Sequence, residues 1–175
     1  MSEAGKKELF SWVKSAGIAL ILVILIRQFL FTPVIVSGES MEPTFENDNM
    51  IVISKIHSID RFDMVVFHSP YADDNLIKRV IGLPGDHVVM DKDNLYINDQ
   101  KHQEDYLAAH KEKVFIGERL TEDFEVVVPK GKIFVLGDNR RFSKDSRELG
   151  FIDEKLIVGK VAFRFYPITD IGIPK

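Results

Sequence analysis

Residues 37–44 read SGESMEPT and directly follow the only long apolar run of the chain. Gly38 permits backbone angles that other residues resist, and Pro43 fixes its own φ, so this segment is predicted to form a rigid corner. The corner presents the hydroxyl of Ser40, which can act as a nucleophile if a base lies nearby. The same residues would also suit a polar stalk between a membrane helix and a soluble domain. The rest of the sequence has to decide between these two interpretations.

The apolar run before this corner covers residues 9–31 and reads LFSWVKSAGIALILVILIRQFLF. As a helix it would be about 34 Å long, which matches a hydrocarbon layer of about 30 Å. Lys14 and Arg27 lie near its two ends, where their charges can reach the lipid headgroups. Residues 15–26 are apolar on every face, unlike a surface helix. We therefore predict a transmembrane anchor.

Two other interpretations of this run carry less weight. Lys6 and Lys7 before a short apolar centre would suit a cleavable secretory signal. However, the apolar stretch continues to Val36, and cleavage after Gly38 would leave Ser40 beside the new terminus. A buried helix of a soluble protein is disfavoured because the central segment has no strongly polar residue.

The cations that flank the run predict its orientation. Three lysines lie on its N-terminal side: Lys6, Lys7 and Lys14. The other side has Arg27 alone, so residues 1–8 are predicted to be cytoplasmic and residues 32–175 to lie outside the cytoplasmic membrane. Ser40 follows the membrane exit by about nine residues, a tether of at most about 30 Å. The candidate nucleophile would then work close to the bilayer.

Composition excludes several classes of site. A net charge of −4 argues against a nucleic-acid surface, so no nucleic-acid partner is expected. The chain has no cysteine, which excludes disulfides and thiolate nucleophiles. His102 and His110 are eight residues apart in a polar stretch, and a surface position explains them better than a zinc site does. We expect neither a metal nor a cofactor.

After the corner the sequence is predicted to be mainly β. Short β-rich runs bounded by turn residues lie at 50–53, 63–67, 76–82, 87–90, 94–97, 124–128, 132–136 and 157–166. Residues 100–123 are charged and irregular, with a short helix expected around 105–113, so a small peripheral lobe is predicted over about 91–125. The predicted fold is an N-terminal transmembrane helix followed by an antiparallel β-sheet domain.

A base for Ser40 is harder to find. No histidine has a matching acidic corner, so a Ser–His–Asp arrangement is not indicated. A lysine is a base only when neutral, which requires burial or cationic neighbours to lower its pKa. Lys78 suits this requirement, since it lies in an apolar strand-like run beside Arg79, and the two point to opposite faces. An exposed lysine that protects an edge strand would give the same pattern, and the pattern alone favours that interpretation.

Four segments, in order behind an anchor, resemble the sequence boxes of the bacterial type I signal peptidases, which are membrane-anchored Ser–Lys proteases. The segments are 38–44 (GESMEPT), 61–67 (RFDMVVF), 78–86 (KRVIGLPGD) and 137–147 (GDNRRFSKDSR). One box alone would be a weak signal, whereas four in this order are specific. The short chain with a single anchor resembles the Gram-positive version of the family.

The resemblance implies roles for the central residues. Ser40 would be the nucleophile, Lys78 the general base, and Ser143 would orient the lysine amine through a hydrogen bond. The backbone N–H of Ser40 would stabilise the oxyanion. Many relatives have a serine two positions before the nucleophile as a second oxyanion donor, but this chain has Gly38 there. A backbone N–H, a water molecule or Ser37 would have to replace it.

The resemblance also implies supporting residues around this centre. Two ion pairs would brace the site: Arg79 with Asp138, and Asp145 with Arg147. Apolar residues would line shallow pockets that accept only small side chains at positions −1 and −3 of a cleavage site: Val34, Val36, Met41, Ile51, Val66 and Ile77. The substrate would bind as an added strand beside the nucleophile segment.

Together these features predict a membrane-bound serine endopeptidase that removes signal peptides from secretory preproteins. Its expected partners are those preproteins and the lipid bilayer, with a position near the translocase. A non-catalytic homologue would be expected to lose Ser40 or Lys78, and both are present. A self-cleaving repressor of the Ser–Lys type would need a DNA-binding unit in place of the anchor. An endoplasmic-reticulum signal peptidase would have histidine at the position of Lys78.

Overall fold

The computed structural model describes residues 3–55, 58–115 and 117–174, apart from the side chains of residues 3, 4, 6, 7 and 9. The side chains of Lys6 and Lys7, which entered the prediction of orientation, are not among those described.

The chain begins with one long helix, α1 (Glu3–Phe29), whose apolar side chains are exposed along its length. Its segment Phe10–Phe29 is long and apolar enough to cross a membrane, with a mean hydropathy of 1.8. The helix ends two residues before the predicted run does, because Phe31 already belongs to the first strand. Pro33 and the β-branched residues around it favour an extended chain here.

The described strands follow in chain order. They are β1 (Phe31–Ile35), β2 (Met50–Ser54), β3 (Met64–His68), β4 (Asn75–Gly82), β5 (His87–Asp91), β6 (Asn94–Ile97), β7 (Gln100–His102), β8 (Phe124–Val127), β9 (Lys132–Leu136), β10 (Ile152–Asp153) and β11 (Ile157–Tyr166). Two further short helices are α2 (Ala108–Lys111) and α3 (Ser146–Leu149). Single 3₁₀ turns lie at Asp105–Leu107, Glu154–Leu156 and Ile168–Asp170.

The larger sheet has seven strands in the order β1-β2-β11-β3-β4-β9-β10, and all its pairs are antiparallel. Both faces of its centre are covered, so consecutive residues of β3 and of the second half of β4 are buried. One face packs on the nucleophile corner through Met41 and Phe45, and the other packs around Phe67. β1 is an edge strand, which leaves one side of its backbone unpaired.

The smaller sheet has four strands in the order β7-β6-β5-β8 and is also antiparallel. It leaves the larger sheet at the turn after β4 and returns to it through β9. Its strands span residues 87–127, which is slightly wider than the lobe predicted over about 91–125. Met90 on its inner face packs in the same cluster as Phe134 of β9, and this contact joins the smaller sheet to the core.

The mainly antiparallel fold with an N-terminal apolar helix confirms the predicted fold class. Four elements were not predicted, namely β1, β7, β10 and α3. All four are short, and β7 lies within the stretch that its charged residues made look irregular. The strand β1 was hidden because its first residue continues the apolar run of the membrane helix.

Candidate active site

The nucleophile corner is held by hydrogen bonds at its base. The backbone N–H of Val36 donates to Asn49 O, and the N–H of Asp48 donates to Val36 O, at 2.8 and 2.9 Å. Gly38 has a φ of +86°, in the left-handed region where glycine is strongly favoured. Its N–H donates to the side-chain oxygen of Asn47 at 2.9 Å. These bonds and the backbone angle of Gly38 define the conformation of the corner.

Lys78 lies on β4 directly beside this corner. Its Nζ is 2.7 Å from Ser40 Oγ and donates to the backbone oxygen of Ile77 at 2.8 Å. Only 2% of Lys78 is exposed. Burial lowers its pKa from 10.5 to about 8, although the negative charges of Asp145 and Asp138 act in the opposite direction. A neutral amine next to an alcohol is therefore accessible near neutral pH.

The neighbouring residue Arg79 is also buried, although it points to the other face of β4. It forms two hydrogen bonds with the carboxylate of Asp138, at 2.9 and 2.7 Å. The hydroxyl of Thr44 donates to the same carboxylate. This ion pair therefore links the nucleophile corner, β4 and the polar loop that begins at residue 137.

A second ion pair closes that loop. Arg147 contacts both carboxylate oxygens of Asp145 at 2.8 Å, and the N–H of Gly137 donates to Asp145 at 3.0 Å. Burial alone would raise the pKa of Asp145, but these donors lower it below its usual value. The side chain of Asp145 also caps α3 by accepting the N–H of Arg147. Both ion pairs implied by the resemblance are thus formed.

Ser143 is buried in the same loop, near β4, the strand that carries Lys78. Its hydroxyl is buried and makes no hydrogen bond of ordinary geometry to a described residue, although it lies close enough to Asp145 to help lower the pKa of that carboxyl. A hydrogen bond from Ser143 to Lys78 is not formed in this structure. Ser143 packs against Gly137, where an added Cβ would collide with the Ser143 side chain and come within 2.5 Å of Ser40 O. Only glycine fits at that contact.

A cleft of about 200 Å³ opens beside the Ser40 and Lys78 side chains. Five of the six residues predicted to line a substrate pocket are found in its wall: Val34, Val36, Ile51, Val66 and Ile77. The sixth, Met41, does not line this cleft, because it is 1% exposed and packs in the core under the corner. Ser37 lines the cleft as well. The cleft is small, with apolar side chains in part of its wall, which suits small side chains.

Comparison with known proteins agrees with this geometry. A sequence model of the family described as "Signal peptidase, peptidase S26" matches residues 9–166. The chain is 41% identical to signal peptidase IB of Staphylococcus aureus, over 94% of this chain and 93% of that protein. The chain belongs to the bacterial type I signal peptidases. It is also 44% identical to signal peptidase I of Bacillus licheniformis, over 95% of this chain and 93% of that protein.

A solved structure supports the same assignment for the fold of this signal peptidase. The crystal structure of a signal peptidase I from Enterococcus faecalis V583 is 41% identical and superposes with a TM-score of 0.60. It covers 62% of this chain and all of that one. Membership confirms the predicted resemblance, and it makes the protein a serine protease of the type that cleaves signal peptides.

Some residues of this signal peptidase that hold the site were not assigned a role from the sequence. Asn139 binds the nucleophile corner twice, since its backbone N–H donates to Ser40 O at 3.0 Å and its side-chain amide donates to Glu39 O at 3.1 Å. Thr44 and Gly137 also contact the site directly. All three lie inside the recognised boxes, so their position was a usable signal. Glu104 and Tyr106, which contact the side chain of Arg140, lie outside every box, so no motif indicated a role for them.

Proposed function

We propose that this signal peptidase is a membrane-bound endopeptidase in which Ser40 is the nucleophile and neutral Lys78 is the general base. The observation that carries this assignment is the 2.7 Å separation of Lys78 Nζ and Ser40 Oγ in a site where the lysine is almost completely buried. That distance permits direct proton transfer. Burial also makes the neutral amine accessible without an additional base.

The reaction follows from these positions. Lys78 accepts the proton of the Ser40 hydroxyl as Oγ attacks the scissile carbonyl carbon. The ammonium ion then gives this proton to the departing amine, which is the new N-terminus of the mature protein. A water molecule, deprotonated by the same lysine, then attacks the acyl carbonyl. The bond from this carbon to Ser40 Oγ breaks, Lys78 returns the proton to Oγ, and the signal peptide leaves with a new C-terminal carboxyl group.

The developing oxyanion needs hydrogen-bond donors. We assign the backbone N–H of Ser40 as the first donor. The N–H of Gly38 already donates to Asn47, so it is poorly placed for the second role. Ser37 is exposed and lines the same cleft as Ser40, so we assign its hydroxyl as the second donor.

Selectivity for small residues follows from the size and lining of the cleft. Val34 and Val36 come from the edge strand and its extension, and Ile77 comes from β4. An extended signal peptide bound between them would place alternate side chains, at −1 and −3, into the apolar wall. A volume of about 200 Å³ shared between two side chains favours alanine, glycine or serine over bulky residues.

The membrane setting rests on α1. Its side chains are apolar and exposed all round, for example Trp12 at 74% and Val23 at 60%, which is unfavourable in water but suits lipid. With the N-terminus in the cytoplasm, the catalytic domain would lie on the outer face of the membrane, where translocated preproteins emerge. Preproteins and lipid are the proposed partners, with the translocase nearby.

The decisive experiment uses the full chain in detergent with a preprotein that has alanine at −1 and −3. We expect wild type to release a mature protein whose first residue, read by mass spectrometry, directly follows the alanine at −1. Ser40→Ala and Lys78→Met should each abolish cleavage and keep the folded circular dichroism spectrum. Lys101→Met, an exposed lysine on β7, is the matched control and should cleave normally.

Retained cleavage by Lys78→Met would remove the lysine from the mechanism. Orientation is tested separately by protease treatment of intact spheroplasts with tags at the two termini. A tag at the C-terminus should be digested and a tag at the N-terminus protected; the reverse pattern would contradict the proposed topology.

A further inference from the structure

A short segment from the connection after β7 reaches across to the polar loop of residues 137–147, which we call the catalytic loop. We call residues 104–110 the bracing segment. Leu107 anchors it in the core with no exposed surface. Glu104 is 4% exposed although it is charged, so its carboxylate must have a partner inside the protein. The bracing segment is therefore anchored in the interior by these two side chains, while residues 105, 108 and 109 are exposed.

The partner of Glu104 is Arg140 on the catalytic loop. Their side chains form a fully buried ion pair, with exposed fractions of 2% and 0%. Burial acts to lower the pKa of Arg140, but the charge and hydrogen bond of Glu104, together with its neighbours Tyr106 and Asp138, raise that pKa, so the guanidinium stays charged. Its Nε donates to the backbone oxygen of Gly137 at 3.0 Å. Glu104 thus holds the Arg140 side chain in place, and Arg140 in turn holds the backbone at Gly137, where the loop begins.

Gly137 transmits this constraint to the reacting groups. It packs so closely on Ser143 and on the backbone oxygen of Ser40 that a Cβ would not fit. A displacement of Gly137 towards these two residues would therefore push on Ser40 or Ser143. Because Ser40 Oγ and Lys78 Nζ depend on direct contact, such a movement would weaken proton transfer.

The bracing segment also contacts the other arginine of the site. The hydroxyl of Tyr106 donates to Glu104 at 2.8 Å, and its ring lies 3.9 Å from the guanidinium carbon of Arg79. Burial raises the pKa of Tyr106 well above 10, so the phenol remains a donor. His110 Nδ1 lies 3.3 Å from the backbone oxygen of Asp138. Three side chains of one segment therefore touch the loop or β4.

From these contacts we propose that Glu104, supported by Tyr106, is a positioning residue for catalysis. It holds Arg140 against Gly137 and thereby keeps Ser40 and Ser143 in register with Lys78. Neither residue touches the substrate cleft, so the effect is on the chemical step and not on binding. This inference rests on the Ser40–Lys78 mechanism proposed above.

The first test compares Glu104→Gln with a matched control, Glu118→Gln. Glu118 pairs with Arg141, the next residue on the same loop, but that pair is half exposed. We expect Glu104→Gln to lower kcat about fivefold to tenfold while KM changes less than about twofold, because a small misplacement affects the transition state most. Glu118→Gln should retain both values. Assays are run well below the unfolding temperature of each variant.

A second test separates positioning from simple stabilisation. The double variant Glu104→Leu with Arg140→Met replaces the buried ion pair by apolar groups, which is often neutral for stability. We expect its unfolding temperature to return towards that of wild type while kcat stays low, since the bond from Arg140 to Gly137 is lost. Recovery of kcat together with stability would overturn the proposal.

A third variant tests the proposal even if the double variant does not fold. Tyr106→Phe keeps the ring on Arg79 and removes only the hydroxyl that orients Glu104, so it should fold and lower kcat about threefold. Wild-type kcat in both Tyr106→Phe and Glu104→Gln would refute the inference by itself. If wild type itself fails to cleave the preprotein, the proposed function fails instead, so the two failures are distinguishable.

Discussion

Replacing Lys78 by methionine should abolish activity. It should also make the protein more stable than wild type at about pH 7 and less stable than wild type at about pH 10.5. In the folded protein the pKa of Lys78 is lowered from 10.5 to about 8 by burial. At 1.36 kcal/mol for each pKa unit, holding the charged amine in the folded state is unfavourable by about 3 kcal/mol. Methionine has a similar length and carries no charge, so it avoids this term.

The sign follows from proton linkage. Below about pH 8 the lysine is protonated in both folded and unfolded chains, and wild type carries the full unfavourable term. Between about pH 8 and 10.5 only the unfolded chain keeps the proton, so wild-type stability rises with pH. Above that range the amine is neutral in both states. The methionine variant lacks this rise of about 3 kcal/mol.

A second contribution has the opposite sign. Methionine cannot make the two hydrogen bonds from Nζ, to Ser40 and to the backbone oxygen of Ile77, and their loss is unfavourable by about 1–2 kcal/mol. The variant should therefore be more stable than wild type by about 1–2 kcal/mol near pH 7. It should be less stable by a similar amount near pH 10.5, so the order of the two proteins inverts.

The assay is thermal unfolding of both proteins in detergent, followed by circular dichroism at several pH values. For a chain of this size the difference in unfolding temperature should change by about 6–12 °C across the range. Other lysines and tyrosines titrate equally in both proteins and cancel. A gap between the two proteins that does not vary with pH would show that Lys78 is not buried with a lowered pKa.

Three further predictions concern activity. With Lys78 as the base, kcat/KM should fall about tenfold for each pH unit below about 8 and level off above it, because only the neutral amine accepts a proton; a profile flat down to about pH 6 would contradict this. Ser37→Ala should lower kcat about a hundredfold to a thousandfold with little change in KM, as loss of an oxyanion donor does; an unchanged kcat would assign the second donor elsewhere. Gly137→Ala should reduce kcat more strongly than Gly131→Ala, measured with the same preprotein, because a Cβ at residue 137 collides with Ser143 and Ser40 whereas residue 131 has open space. Gly131 has a positive φ, so its variant also reports the effect of backbone strain alone.

The sequence was sufficient for the membrane helix and for the main strands of the larger sheet. Their apolar patterns are long, and turn residues such as those at 83–86 mark the ends. The missed strands β7 and β10 are three and two residues long, too short for a period to be visible, and β1 was hidden because it continues the apolar run of α1. Their existence depends on pairing with distant strands, as β10 pairs with β9.

The candidate site was predictable to the extent that it is encoded in local motifs. Ser40 and Lys78 lie 38 residues apart, and no local pattern could show that their side chains meet. The four-box resemblance brought them together. Met41 shows its limit, because the box places the residue beside the nucleophile but not whether its side chain faces the cleft or the core. Glu104 is one acid among many in a charged stretch, and only its burial against Arg140 distinguishes it.

The junction between α1 and β1 has a consequence for which preproteins can be cut. Leu30 alone separates the last helical residue from the first residue of the strand, and Lys55 binds this junction through both its backbone N–H and its amine. The strand then rises about 17 Å before the nucleophile corner begins. With α1 in the bilayer, as proposed, this short connection limits the height of the cut above the lipid. A preprotein held in the same bilayer by its own apolar segment must present its scissile bond at that height. The number of residues between this apolar segment and the scissile bond therefore decides which preproteins can be cut.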